Sequence, residues 1–174
     1  ITINSIDDIK KLSIDTKVEI EVDTGMSRNG IAINEISIAL DMIMKNKLIL
    51  HGVFTHFSSA FKEDSSLNIQ KDKFDNVKNL ILNDNRFDNV RFHCSSSSSL
   101  FRVNNLDYDL ARIGIASYGY VSLPKSFIKP KLKPVMSLWA EKITSKNLSK
   151  GDAVGYGLTY KLNQDMKVST YDIG

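Results

Sequence analysis

Cysteine is nearly absent from this chain: Cys94 is the single thiol among 174 residues. An internal disulfide is thereby excluded, and the composition suits a reducing compartment. Long apolar runs are missing too. None approaches the ~20 residues that a membrane-spanning helix needs, and no basic, apolar and small-residue leader pattern opens the sequence. Charge of one sign is also lacking, since 23 Lys and Arg against 20 Asp and Glu leave a net charge of only +3. The lysines are scattered rather than striped with aromatics, which gives nucleic-acid binding no support. What remains, 42% hydrophobic and 25% charged residues, is the make-up of a globular protein with a real core. The sequence opens on Ile1 rather than Met and stops abruptly at Asp172-Ile173-Gly174. It reads as a segment of something longer.

The first three-quarters alternates strand and helix patterns, without an internal repeat. Ser5 is suited to cap a short helix. Lys17–Val22 alternates charged and β-branched residues, as a strand does. Asn34 is expected to cap a helix whose apolar positions Ile36, Leu40 and Ile43 fall at helical spacing. Leu48–Thr55 reads as a buried strand, Ser66–Leu82 as the next helix, Val90–Cys94 as a strand and Leu110–Ile115 as another. Strands alternating with helices imply parallel βαβ units. After Ser122-Leu123-Pro124 the texture changes. Lys125–Lys133 is basic and reads as a linker. Val135–Leu148, Ala153–Lys161 and Lys167–Tyr171 follow as strands joined by turns. A boundary is placed near Lys133, so that residues 1–133 form an α/β unit and residues 134–174 begin an all-β domain.

Polar residues suited to chemistry fall just after the predicted strands. Asp23-Thr24-Gly25-Met26-Ser27-Arg28 follows the first, His56 the second and the run Ser95–Ser99 the third, while Arg112-Ile113-Gly114-Ile115 ends the fourth. In a (β/α)-barrel the C-terminal strand ends converge on one face, where active sites are built. Each cluster alone has a plainer reading. The first is a turn, His56 is a helix cap or a core hydrogen-bonding group, the serines are a flexible stretch, and Arg112 pairs with Asp107 or Asp109. The position of the serine run, directly after a buried-looking strand and before Leu100-Phe101, favours a helix N-terminus, where hydroxyls and backbone N–H groups bind anions. Only the coincidence of all four points to one site.

These segments resemble a known family. Val22-Asp23-Thr24-Gly25-Met26-Ser27-Arg28-Asn29-Gly30 is similar to the Asp-Thr-Gly-Met-x-Arg-x-Gly signature of bacterial alanine racemases. Gly52-Val53-Phe54-Thr55-His56-Phe57 and Arg112-Ile113-Gly114-Ile115-Ala116-Ser117-Tyr118-Gly119 resemble two further family segments. Pro134-Val135-Met136-Ser137-Leu138 and Val154-Gly155-Tyr156-Gly157-Leu158-Thr159-Tyr160 follow in the family's order. The resemblance covers nearly the whole chain. It implies the C-terminal part of a (β/α)8 TIM barrel that binds pyridoxal 5'-phosphate, followed by the start of an all-β domain. The activity implied is the two-base interconversion of L- and D-alanine, supplying D-alanine for peptidoglycan in the cytoplasm, by a homodimer without membrane or nucleic-acid partners. A serine or broad-specificity racemase, or a non-catalytic pyridoxal-phosphate-binding barrel, stands as the alternative. The family's cofactor lysine has no counterpart in this chain, so the segment alone is expected to be inactive.

Roles follow from the same resemblance. Racemisation needs an acid/base group on each face of the reacting carbon. The absent lysine serves one face and Tyr156 the other, in the partner's barrel. A phenol, with a reference pKa of about 10, needs a neighbour to stabilise its anion. His56 is that neighbour, itself held by Arg112. Arg112 also faces the cofactor's pyridine nitrogen, and since a guanidinium cannot accept a proton, side reactions such as transamination are suppressed. Ser97 offers its hydroxyl, and Gly114 and Ile115 their N–H groups, to the phosphate. Arg28 stands near the cofactor's phenolic oxygen or the substrate carboxylate. Glu21 takes the place of a lysine that several relatives carbamylate, and is expected to orient Arg28. No metal site is expected.

Overall fold

The computed structural model describes residues 1–103 and 108–173. It divides into two compact units, Ile1–Val135 and Met136–Gly174.

The first unit is built on a parallel sheet. Its strands are β1 (Thr2–Ile3), β2 (Lys17–Asp23), β3 (Ile31–Ala32), β4 (Ile49–Phe54) and β5 (Arg91–His93), in the order β1-β2-β4-β5, with β3 beside the end of β2. Between them run α1 (Ile6–Ile9), α2 (Ile36–Lys45) and α3 (Ser66–Leu82). Period two explains β2. Val18, Ile20 and Val22 point into the core, fully buried, while Glu19, Glu21 and Asp23 take the opposite face. Period 3.6 explains the helices. Ile36, Ala39, Leu40 and Ile43 of α2, and Leu67, Phe74, Val77 and Ile81 of α3, lie in the same core as Val18, Ile20, Val22 and Val53. Parallel pairing of β2 with β4 and of β4 with β5 sets Glu19, Gly52 and Arg91 in one row, and Glu21, Phe54 and His93 in the next.

The helix ends are chemically specified. Ser5 caps α1, and its N–H donates to Asp8 Oδ2 at 3.0 Å. Helix α2 closes in a Schellman motif: Leu48 N–H donates to Ile43 O and Lys47 N–H to Met44 O, both at 3.0 Å. Leu48 and Ile43 both join the core. Asn34 does not cap α2. It sits inside a 3-10 turn, Ile33–Glu35, that leads into the helix, and Glu35 takes the cap position.

The fourth expected strand, Leu110–Ile115, shrinks to a single parallel bridge between Ser95 and Ala111. Arg112 N–H donates to Ser95 O, and the chain then turns at Gly114 into a 3-10 turn, Ile115–Tyr118. Lys125–Lys133 has no regular structure, and its last residue packs against Gly119. Gly119, at φ +90°, lies so close to the Lys133 carbonyl that no Cβ could fit there.

In the second unit β6 (Lys142–Leu148) pairs antiparallel with β9 (Met166–Tyr171). Ala153–Lys161 is not one strand but a hairpin. β7 (Ala153–Val154) returns as β8 (Tyr160–Lys161), reversed by Gly155 and Gly157 at φ +82° and +70°. Among the described residues no helix is long and apolar enough to cross a membrane.

Candidate active site

A cavity of about 300 Å³ opens at the carboxyl ends of β4 and β5. His56, Ser96, Ser97, Ser98, Arg112, Gly114 and Ile115 line it. Five of the residues singled out by sequence therefore meet in one space: His56, Ser97, Arg112, Gly114 and Ile115.

Arg112 is half-buried and held on several sides. Its Nη2 donates to Thr55 O at 2.7 Å, and its Nη1 meets His93 Nδ1. The guanidinium stands over the Phe54 ring, 4.6 Å from the centroid. Burial presses its pKa downward, opposed by Cys94, Glu21 and Glu19. None of its hydrogen bonds among the described residues goes to His56. The expected hold of Arg112 on His56 is therefore not made by a hydrogen bond; the two side chains line the same cavity. Burial first, then the positive charges of Arg112 and Arg28, lower the His56 pKa and favour the neutral ring. Of the two expected surface partners of Arg112, Asp107 lies outside the described residues, and Asp109 instead accepts from Phe92 N–H at 2.6 Å.

Four of the five serines in the run have specific partners. Ser95 bridges to Ala111, and Ser96 caps a one-turn helix α4 (Ser97–Leu100). Ser99 is fully buried and reciprocates the cap, its Oγ accepting from Ser96 N–H at 2.7 Å. Ser97 Oγ accepts from both Gly114 N–H and Ala116 N–H, each at 3.1 Å. These bonds tie the two loops of the cavity together. They also engage the Gly114 N–H within the protein, whereas the Ile115 N–H opens a 3-10 turn without an intrahelical partner.

Arg28 lies exposed in the turn after β2, near enough to act on His56. That turn is shaped by Asp23, whose Oδ1 accepts from Gly25 N–H at 2.9 Å and Ser27 N–H at 3.0 Å. Partial burial opposes its ionisation, but the Ser27, Gly25 and Met26 N–H groups hold its pKa below the ordinary carboxylate value. Glu21 is buried, and no hydrogen bond or ion pair joins it to Arg28 among the described residues. Its charge is felt at Arg112 instead. The expected orientation of Arg28 by Glu21 is not seen, because Glu21 lies two residues inside the strand while Arg28 is out in the turn. Tyr156 sits in the 3-10 turn of the second unit with its side chain fully exposed.

Sequence reasoning missed His93, which touches Arg112 directly, and Thr55, whose Oγ1 donates to Val22 O and lies 2.8 Å from Thr24 Oγ1. The available signal was a set of polar residues at alternate strand positions, on one face: Glu19, Glu21 and Asp23 on β2, His93 on β5.

Parallel strands whose carboxyl ends gather hydroxyls, backbone N–H groups, a histidine and a guanidinium around one cavity put this unit in the α/β class, with its polar groups at the strand ends. The chain belongs to the alanine racemase family: residues 1–122 match the model for "Alanine racemase, N-terminal domain". The alanine racemase of a Nitratiruptor species is 45% identical over 99% of this chain and 52% of its own length. That of Campylobacter jejuni (strain 81-176) is 37% identical over 99% of this chain and 50% of its own. The chain thus spans about half the length of the curated relatives it matches. Among solved structures, alanine racemase from E. faecalis superposes with a TM-score of 0.73 at 28% identity, over 99% of this chain and 49% of that one. The Bacillus anthracis enzyme with bound L-Ala-P gives 0.76 at 27%, over 99% and 47%.

Proposed function

We propose that this chain is part of an enzyme that interconverts L- and D-alanine with pyridoxal 5'-phosphate, and that its first unit is the C-terminal part of the cofactor barrel. The observation that carries the reading is the meeting of His56, Ser97, Arg112, Gly114 and Ile115 around one cavity at the strand ends. This donor set fits a phosphorylated ring. The Ser97 hydroxyl and Ile115 N–H suit the phosphate, and the Arg112 cation suits the ring nitrogen, to which it can only donate. The cofactor, when bound, supplies the electron sink that makes the α-hydrogen of an amino acid acidic.

The chain's own residues do the rest. Arg112, clamped by Thr55, His93 and Phe54, keeps the nitrogen unprotonated and so limits how much charge the ring withdraws. Arg28 attracts the substrate carboxylate from the rim. The Tyr156 phenol, in a homodimer, removes or delivers a proton on one face of the substrate in the partner's cavity, next to the partner's neutral His56. A lysine outside this chain serves the opposite face.

The test is made on the full-length protein. L-alanine is supplied and D-alanine is followed by a D-specific oxidase, with L-serine in parallel. Conversion of alanine that vanishes on Tyr156→Phe supports the reading. Equal turnover with Tyr156→Phe, or preference for serine, overturns the assignment of the base or of the substrate.

A further inference from the structure

Beneath the cavity, the face of the sheet opposite the apolar core carries a chain of polar groups. Gly52 lies on β4 between Glu19 of β2 and Arg91 of β5. Because residue 52 has no side chain, the Glu19 carboxylate can cross over β4. A Cβ there would stand 2.9 Å from Glu19 Oε1 and 3.1 Å from its Cγ and Cδ. On the far side Oε1 accepts from Arg91 Nη2 at 2.6 Å, and Oε2 lies 3.3 Å from His93 Nε2. The other ring nitrogen of His93, Nδ1, meets Arg112 Nη1. The ring itself is stacked on Phe54, with centroids 5.0 Å apart and planes 10° from parallel.

Proton counting fixes the ring. A guanidinium has only donors, so Nδ1 must be the acceptor. An ionised carboxylate has only acceptors, so Nε2 must carry the hydrogen. Both partners demand the same neutral tautomer, and adding a second proton at Nδ1 would turn a donor toward a donor. Burial, then the Arg112 charge, lowers the His93 pKa against the opposing pull of Glu19, which accords with a neutral ring.

We infer that Glu19 is a positioning residue for Arg112, acting across Gly52 through the Nε2–H tautomer of His93 to aim the guanidinium into the cavity. Glu19 does not line the cavity. Its influence is transmitted by a ring whose two nitrogens are each committed to one partner. The consequence for catalysis rests on the reading of Arg112 given under the proposed function; the tautomer does not.

The experiment uses the full-length protein labelled with 15N at histidine, with the His93 signals assigned by their loss in His93→Gln. At about pH 7, Nε2 should appear protonated and Nδ1 bare. Glu19→Ala should mix the tautomers and lower pyridoxal phosphate affinity about tenfold. Glu19→Gln, which has one acceptor oxygen for the two donors Arg91 Nη2 and His93 Nε2–H, should restore both only in part. Gly52→Ala, which alters no titratable group, should reproduce the Glu19→Ala ring shifts and covers the case that Glu19→Ala does not fold. An Nδ1–H tautomer in the unaltered protein, or unchanged ring shifts in Glu19→Ala and Gly52→Ala, overturns the inference. The expected shifts in a protein without racemase activity would sink the functional reading while leaving this one intact.

Discussion

The Arg112 guanidinium lies over the Phe54 ring, 4.6 Å from its centroid, while its two outer nitrogens reach Thr55 O and His93. Stacking and forked donation are both satisfied only by a planar cation with several fixed donors. Lysine offers a point charge on a flexible stem. Arg112→Lys is therefore expected to lose one or two charge-assisted hydrogen bonds, about 1.5–3 kcal/mol, and to bind pyridoxal phosphate about 10–100-fold more weakly. A fluorescence titration of the full-length protein checks this, and an unchanged affinity would show that the fork is not used.

Ser97→Ala removes the oxygen that accepts from both Gly114 and Ala116 N–H. Leaving two part-buried donors unpaired costs about 1–3 kcal/mol. A lower urea midpoint should accompany weaker binding of inorganic phosphate. A drop in stability with phosphate affinity untouched would remove Ser97 from the anion site.

The pH dependence of stability follows from His56 and His93. Both have folded pKa values below the ordinary 6.5, through burial and the Arg112 charge. Between that folded value and 6.5 the unfolded chain binds more protons than the folded one, so stability rises with pH there and falls on acidification from neutrality. Glu19 adds to the same trend at lower pH. Burial opposes its ionisation, but Arg91 and His93 bring its pKa below 4.5, so its contribution holds above that value and is lost as pH drops through the folded one. Urea midpoints across this range should decline with acid, and His93→Gln should flatten the part just below neutrality. A flat wild-type profile there would mean that the histidines are not depressed.

Lys47 holds the left-handed position of the Schellman motif, at φ +54°. Glycine adopts that conformation without steric cost. Lys47→Gly should stabilise the first unit by about 0.5–1 kcal/mol after the added unfolded-state entropy, visible as a higher urea midpoint. Destabilisation would show that the lysine side chain contributes more than its backbone strain costs.

Much of the first unit was legible because local periodicity and global packing agree. The apolar spacing of α3 gives Ser66–Leu82 to the residue. The motif order placed His56, Ser97, Arg112, Gly114 and Ile115 at strand ends, and they share a cavity. Legibility failed where pairing decides. Leu110–Ile115 looks like a strand, but the Ser97 hydroxyl draws the Gly114 and Ala116 amides into a turn instead. Ala153–Lys161 looks continuous until two glycines at positive φ reverse it. His93 was invisible as a site residue because its partners are set by register across β2, β4 and β5, and nothing local in Arg91-Phe92-His93 says that a glycine lies alongside to let a carboxylate through.

With two amides already pointed at its oxygen, the Ser97 hydroxyl has its lone pairs occupied and only its hydrogen to offer. That one hydrogen can go only to an acceptor. A guest that takes it leaves the two amide bonds in place, so occupation of the cavity would not unfasten the loops that Ser97 joins.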